Sequence, residues 1–520
     1  MNRLPPRSHV VLLATCVLVL LAQRLHTYDE PFERDITTYA VIGHEVLSGR
    51  KLYSDLWDNK SPIVYMTYAA GELAAGYGPL SIFLLGLTTA ALTLIGVYAA
   101  ATVSVSSAAG LWAGVAWTVV SADQALQANQ PNIEVFMNAS LVWLLVVLMA
   151  RRTRPVAIGV LSGIASLYKL IVLPTLILTY LVSIVVRWRS PPRKHVAYIA
   201  VSSLTFVAVW AVVCGYFAAT GRGNDFRQAV FAYNVSFAGD LVANVVAGLA
   251  PAQLMPRVLW CAAPLALLAS IGVAWLVRAR AWHTAGLLLA YAAGTVVSVA
   301  LPGKFWPHYY QLWLPIFSIG AGIGVHAIGQ LIASRRNTPR PTRRRTAERR
   351  HAARWAQAIG AIAVLMVVGF ELPYYNQSPE VWSIEKYGPL FADVKHLAPD
   401  VTALVGADET FFEWGDETGF YYYARRHPPS GIFYIYLAVV ESPLRAVLEA
   451  KLIADLERTS PELMIVNTQY LYAQLRTRPI VQWLGMHYVG WEKGPARGPF
   501  IMYIRQGGAL ERRLQQQGRL

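Results

Sequence analysis

Glu33-Arg34-Asp35-Ile36-Thr37-Thr38-Tyr39-Ala40, continuing through Gly43, His44 and Glu45 to Trp57-Asp58-Asn59-Lys60-Ser61-Pro62, is the stretch on which the reading of the fold turns. On its N-terminal side lies an apolar run, Val10 to Leu21, preceded by Arg3 and Arg7. No small-residue cleavage site follows before Gln23 and Arg24, so the run is expected to stay as a first membrane span and not to be removed as a signal peptide. On its C-terminal side a second apolar run begins at residue 79. The quoted stretch therefore belongs to a connection, residues 27 to 78, joining two spans. Connections of this length in compact proteins tend to be functional.

Within the connection, Ile36, Tyr39, Ala40, Gly43, Val46 and Leu47 recur at helical spacing from Asp35 to Ser48, with Thr37, Thr38, His44 and Glu45 opposite them. That pattern predicts an amphipathic helix lying on the membrane surface. Asp35 stands at its N-terminal end. Two readings fit it: an N-cap or a carboxylate complementing the helix dipole, or a general base for a hydroxyl, held beside Arg34. A second helix is expected to start at Pro62 with Ser61 as its cap, because proline suits the first helical position. Lys60 then sits just ahead of a helix N-terminus, where backbone N–H groups and an ammonium converge on a place for a phosphate oxyanion. A lysine snorkelling to lipid headgroups is the other reading.

The rest of the chain agrees with a membrane setting. Of 520 residues, 55% are hydrophobic and only 14% charged, with a mean hydropathy of +0.39, which no single aqueous core accommodates. Stretches near bilayer length fall at about residues 8 to 26, 79 to 102, 105 to 121, 133 to 150, 155 to 173, 174 to 187, 196 to 218, 258 to 277, 283 to 301, 309 to 332 and 356 to 371. This is a multi-pass α-helical membrane protein of about eleven spans. With the N-terminus in the cytoplasm, the cytoplasmic connections are Arg151 to Arg154, the stretch holding Arg187, Arg189, Arg193 and Lys194, the pair Arg278 and Arg280, and a basic loop over 333–355. All are short and basic, as the positive-inside rule requires. The net charge of +15 is thereby assigned to topology and not to nucleic acid. Anionic headgroups are an alternative use of the run from Arg335 to Arg354. Cys16, Cys214 and Cys261 all lie in apolar runs without metal-ligand spacing.

From Glu371 the composition changes. Thr402 to Ala407, Gly431 to Tyr436, Glu462 to Asn467 and Phe500 to Arg505 read as strands, with helices over Leu444 to Leu456 and Tyr470 to Leu475. The expected organisation is a membrane domain over 1–371, including the outer loop 27–78, and a small extracytoplasmic α/β domain over 372–520.

Arg34-Asp35 with Tyr39, then Gly49, Tyr53 and Asp55, then Trp57 to Pro62, resembles the first outer loop of the GT-C glycosyltransferases. Within that class it is similar to the family 39 group, which includes protein O-mannosyltransferases and the aminoarabinose transferase acting on lipid A. The group's pattern is approximately Arg-Asp-Glu-x-x-Tyr followed by Lys-Pro-Pro. This chain departs from it at Ile36, where an acidic residue is common, and at Ser61, where the first proline is common. Asn129 to Asn138, with Glu134, resembles the second outer loop of the group, and Lys304-Phe305-Trp306-Pro307-His308-Tyr309-Tyr310 a later basic Pro-His-Tyr-Tyr segment.

The resemblance implies a polyprenyl-phosphate-sugar donor, an acceptor hydroxyl on a lipid, glycan or protein, and a cell-membrane location with the reaction on the outer face. It implies Asp35 as catalytic base. Lys60, Lys304 and His308 would bind the donor phosphate, with Arg34, Tyr39 and Glu134 in support. Glu134 also reads as a carboxylate complementing a helix dipole, and Lys304 and His308 as interfacial anchors beside Trp306, Tyr309 and Tyr310. The missing carboxylate at Ile36 leaves metal use open, so no cofactor is assigned and room is left for a divalent cation. A lipid-linked sugar flippase is the rival from another class, but the broken, repeated halves common in transporters are not visible.

Overall fold

The computed structural model describes residues 6–187, 191–334, 342–471 and 475–520. Arg189 and residues 335–341 of the expected basic loops lie outside the described residues. The chain divides into two compact units: one of Met1–Tyr28, Phe83–Tyr216 and Ala238–Gln377, the other of Asp29–Ile82, Phe217–Phe237 and Ser378–Leu520.

The first unit is a helical bundle. Helix α1 (Arg7–His26) is followed by apolar helices at each position where a span is expected. Among the described residues, seven helices are long and apolar enough to cross a bilayer: Arg7–His26, Pro79–Ser104, Pro192–Ala219, Arg257–Arg278, Trp282–Ala300, Pro307–Ser334 and Arg350–Asn376. Four more, Ser107–Val120, Ile133–Met149, Pro155–Tyr168 and Leu170–Val186, are apolar but shorter. Leu204 is 68% exposed and Val212 73% exposed on Pro192–Ala219, which a lipid solvent tolerates and water does not. The chain is a membrane protein.

With no hydrophobic drive between helices in lipid, small residues set their approach. A Cβ at Gly324 would lie 2.0 Å from the carbonyl oxygen of Leu268, and one at Gly322 2.2 Å from that of Ala109. The helices Ala263–Arg278, Ser107–Val120 and Leu314–Ser334 therefore pack backbone to backbone.

The second unit joins the first-loop helices α2 (Arg34–Leu47) and α3 (Ile63–Ala75) to a mixed α/β region. Its sheet has the order β1-β2-β4-β3, from β1 (Phe411–Trp414), β2 (Leu463–Asn467), β3 (Tyr488–Gly490) and β4 (Phe500–Arg505). The β1–β2 pair is parallel and the others antiparallel. Trp382, Trp414, Phe411, Phe412, Phe420 and Tyr421 fill the core.

β2, β4 and the helix Arg445–Thr459 fall where expected. Thr402 to Ala407 is not a strand. Its first residues complete the helix Leu390–Leu404, because Val394, Leu397, Ala398, Val401 and Leu404 are buried at helical spacing. Gly431 to Tyr436 is not a strand either. There the carbonyl of Gly431 accepts from Trp57 N–H at 3.0 Å, Ile435 N–H donates to Gly415 at 2.8 Å, and a Cβ on Gly431 would meet Asp55 O at 2.1 Å. Side-chain alternation yields to this irregular backbone stapling. The helix expected over Tyr470 to Leu475 crosses residues 472–474, outside the described residues, and Thr468–Tyr470 is a 3-10 turn.

Two expectations about the first loop also change. α2 does not leave its polar face to solvent: Thr37, Thr38 and Glu45 are buried, each taken up by hydrogen bonds described below. α3 begins at Ile63 with Pro62 ahead of it and no side-chain cap, so Ser61 does not cap it.

Candidate active site

α2 opens on Glu33, whose carboxylate accepts from Asp35 N–H at 3.1 Å. Glu33 is thus the N-cap, and Asp35 lies in the first turn, where a negative charge meets the positive end of the helix dipole. Asp35 keeps part of its surface open while Glu33 is buried. Burial first, and the Asp35 charge second, push the Glu33 carboxyl up to about 8, against smaller pulls from the Asp35 N–H, Arg34 and Lys386. Near neutral pH Glu33 is held mainly as the neutral acid beside Asp35.

The turn is held rigidly. Arg34 donates to Glu417 Oε1 at 2.8 Å and lies 3.8 Å from Asp416 Oδ2. Thr418 Oγ1 lies 2.7 Å from Thr37 Oγ1 and 2.9 Å from Thr38 Oγ1, and donates to Arg34 O at 3.1 Å. Phe32 N–H donates to Tyr423 OH at 2.9 Å. Burial raises Glu417 to about 7, with Arg34 pulling the other way, and the same opposition acts on Asp416. Burial alone would lower Arg34, but the attraction of Glu417 and Asp416 outweighs it and holds the guanidinium charged. Tyr39 is buried, its ring 6.1 Å from that of Tyr65 and 5.6 Å from that of Tyr68. It packs α2 on α3.

Lys60 is half-buried ahead of α3. Its ammonium donates to Asn59 Oδ1 at 2.9 Å, and its carbonyl accepts from Tyr53 OH at 2.8 Å. Asn59 is tied to Asn234 by bonds of 3.1 Å and 2.6 Å. Asp58 anchors the turn. Its two oxygens accept from Tyr65 OH at 2.6 Å and Tyr434 OH at 2.7 Å, and it is 1% exposed. Sequence reasoning quoted Asp58 within the motif without giving it a role. Its signal was an acidic residue two positions before the lysine and directly after Trp57.

The later candidates belong to the other unit. Glu134 is fully buried in the first turn of Ile133–Met149 and accepts from Lys169 at 2.8 Å. Its Oε2 has no partner among the described residues. Lys169 also stands 4.0 Å over the Tyr309 ring, so it is both an ion-pair and a cation–π partner. His308 is buried beside Tyr309, with Nδ1 3.2 Å from Gln127 Oε1. Lys304 is exposed. The structure therefore gathers Arg34, Asp35, Tyr39 and Lys60 in one unit, and Glu134, Lys304 and His308 in the other.

Among the described residues, two groups have metal-ligand spacing: His44, Glu45 and His427, and Asp123, Cys261 and Glu371. Neither contains Asp35, and no cofactor is established.

No protein-family model matches the sequence, and no curated protein matches it. The fold is matched by solved structures. ArnT from Cupriavidus metallidurans bound to undecaprenyl phosphate superposes with a TM-score of 0.56 at 15% identity, over 95% of this chain and 97% of that one. The archaeal oligosaccharyltransferase AglB from Archaeoglobus fulgidus, in complex with an inhibitory peptide and a dolichol-phosphate, gives 0.53 at 12% identity, over 96% of this chain and 74% of that one. The class defined is that of integral membrane proteins with the GT-C fold. The expected membrane bundle with first-loop helices and a small sheet-bearing C-terminal region is the fold observed.

Proposed function

We propose that the chain is an integral membrane glycosyltransferase that moves a sugar from a polyprenyl-phosphate-linked donor to an acceptor hydroxyl at the outer face of the membrane, with inversion. The fold supports the class of reaction, because ArnT shares it over 97% of its chain and AglB over 74%, and their structures hold undecaprenyl phosphate and a dolichol-phosphate. The observation that carries the assignment to residues is the accessible Asp35 in the first turn of α2, with the neutral acid Glu33 behind it.

Asp35 takes the proton of the acceptor hydroxyl as that oxygen attacks the anomeric carbon from the face opposite the phosphate. The carbon–oxygen bond to the polyprenyl phosphate breaks in the same step. The departing phosphate is a weak base, so it needs charge stabilisation and not protonation. Lys60 beside the uncapped start of α3 supplies it. Asp58, through Tyr65 and Tyr434, sets the turn that presents Lys60. Glu134 orients Lys169. The orientation that goes with this reading has the N-terminus in the cytoplasm and residues 372–520 outside, in line with the short basic connections at Arg151 to Arg154 and at Arg278 and Arg280.

Purified protein given a radiolabelled polyprenyl-phosphate sugar should transfer the label to acceptor. A general base contributes about 10²- to 10⁴-fold, so Asp35→Asn should lose at least the lower end of that range in kcat and keep donor binding. Near-normal turnover would remove Asp35 from the mechanism. Lys60→Ala should raise the donor concentration needed for half-maximal rate, and an unchanged response to polyprenyl-phosphate concentration would sink the phosphate role.

A further inference from the structure

Away from Asp35, at the far end of α2, two histidines each meet a carboxylate. His44 Nδ1 lies 2.8 Å from Glu72 Oε1 on α3, and His427 Nδ1 lies 2.6 Å from Glu45 Oε1. One ligand atom each from His44, Glu45 and His427 falls within 4.8 Å of the others. The imidazole planes are nearly parallel, 15° apart, with centroids 5.9 Å from each other. We propose that His44, Glu45 and His427 are the three protein ligands of a divalent transition-metal site, of the zinc class, that clamps the C-terminal end of α2 to the segment around His427.

The chemistry of the donors sets the ion. Two imidazoles and one carboxylate suit zinc and its neighbours, whereas magnesium and calcium select all-oxygen sets. Glu72 supplies the outer partner: a zinc-bound histidine normally donates its other ring N–H to a carboxylate, which fixes the tautomer. With Nδ1–H of His44 given to Glu72, Nε2 carries the lone pair a metal takes. Glu45 is similarly braced, since Arg50 Nη1 holds its Oε2 at 3.0 Å and Oε1 faces His427. Tyr77 stacks on His44 at 4.2 Å and limits ring rotation. Tetrahedral zinc needs donors about 3.3 Å apart around bonds of about 2.0 Å, so His427 Nδ1 and Glu45 Oε1, now 2.6 Å apart, open slightly around the ion while all three ligand atoms already lie within 4.8 Å of one another. The His427 side chain is 67% exposed, which leaves its ring room for that adjustment and gives the ion an entry path.

This site is separate from the proposed base. It predicts a structural ion and makes no demand on the transfer step, so failure of either reading leaves the other standing.

The test is metal content. Full-length protein without a histidine tag is stripped with chelator, exposed to zinc, passed through a desalting column and assayed by mass spectrometry. One zinc per chain is expected. His427→Ala, at an exposed position, should lose that zinc while keeping the thermal transition of the metal-free wild type, and Glu72→Gln should bind it about 10- to 100-fold more weakly. Cys261→Ser, which alters the other metal-spaced group, should keep it. Cobalt in place of zinc should give the visible bands of tetrahedral nitrogen and oxygen ligation in wild type and not in His427→Ala. A chain that retains no zinc, or a His427→Ala variant with unchanged zinc content and cobalt spectrum, overturns the proposal.

Discussion

Glu33→Gln separates the buried acid from the base it supports. The carboxyl of Glu33 titrates at 4.5 in the absence of the fold and at about 8 within it, first because it is buried and second because Asp35 is adjacent. Between those values the unfolded chain has lost the proton and the folded chain still holds it. The folded state then binds more protons, so stability falls as pH rises through this window. At about 1.4 kcal/mol per pH unit, the loss accumulated from pH 4.5 to pH 8 is on the order of 5 kcal/mol. Glutamine removes the titration. Its amide oxygen still accepts the Asp35 N–H that Glu33 holds at 3.1 Å, so the cap survives. Lys386, also near Glu33, keeps its ion pair with Glu30.

The expected result is a Glu33→Gln variant close to wild type at pH 5 and progressively more stable than it toward pH 8. For an unfolding unit of roughly 150–250 residues, 1 kcal/mol moves Tm by about 2–4 °C, so the gap at pH 8 is at most roughly 10–20 °C. Thermal unfolding of both proteins in the same detergent, followed by intrinsic fluorescence from pH 5 to pH 8, measures it. Taking the difference between variant and wild type cancels the other titrating groups. A gap that is flat across that range, or a variant less stable than wild type at pH 8, would refute the assignment of Glu33 as a buried neutral acid.

Glu134→Ala should destabilise by about 3–5 kcal/mol, because it leaves the Lys169 ammonium, 16% exposed, without its ion-pair partner; Lys169→Met in the same background should recover much of that loss in a thermal-shift measurement. Tyr434→Phe withdraws one of the two phenols from Asp58 and should lower stability by about 1.5–3 kcal/mol, with donor KM rising as the Lys60 turn loosens. Gly43→Val should cost about 1–3 kcal/mol by overpacking, since a Cβ there meets Ala69 N at 2.9 Å and Tyr65 O at 3.2 Å on α3; an unchanged Tm would mean that α2 and α3 do not approach this closely.

The helices of the bundle were legible because each carries its own signal. An apolar run such as residues 196 to 218 must satisfy its backbone internally in lipid and has no other choice than a helix. β2 and β4 were legible for a similar reason, as short apolar runs bounded by turns. The strand misassigned over Thr402 to Ala407 failed where two periods compete over a few residues, and the burial of Val394, Leu397 and Val401 on one face settled it as helix. β1 went unread because Glu413 interrupts its apolar run; the glutamate is nevertheless fully buried, and Tyr421 OH accepts the N–H of that same residue at 3.0 Å.

For the site, sequence alone determined that the chain lies in a membrane, that α2 begins near Asp35 and that Lys60 immediately precedes another helix. Those are local facts, set by composition, spacing and the conformational limits of proline. Tertiary structure decided that Glu33 and not Asp35 caps α2, that the polar face of α2 is buried against Thr418, and that Glu134 holds Lys169. It also brought His427 to Glu45 across 382 positions of sequence. Contacts of that range depend on how distant segments pack, and desolvation, which separates the neutral acid Glu33 from its neighbour Asp35, exists only once that packing has excluded water.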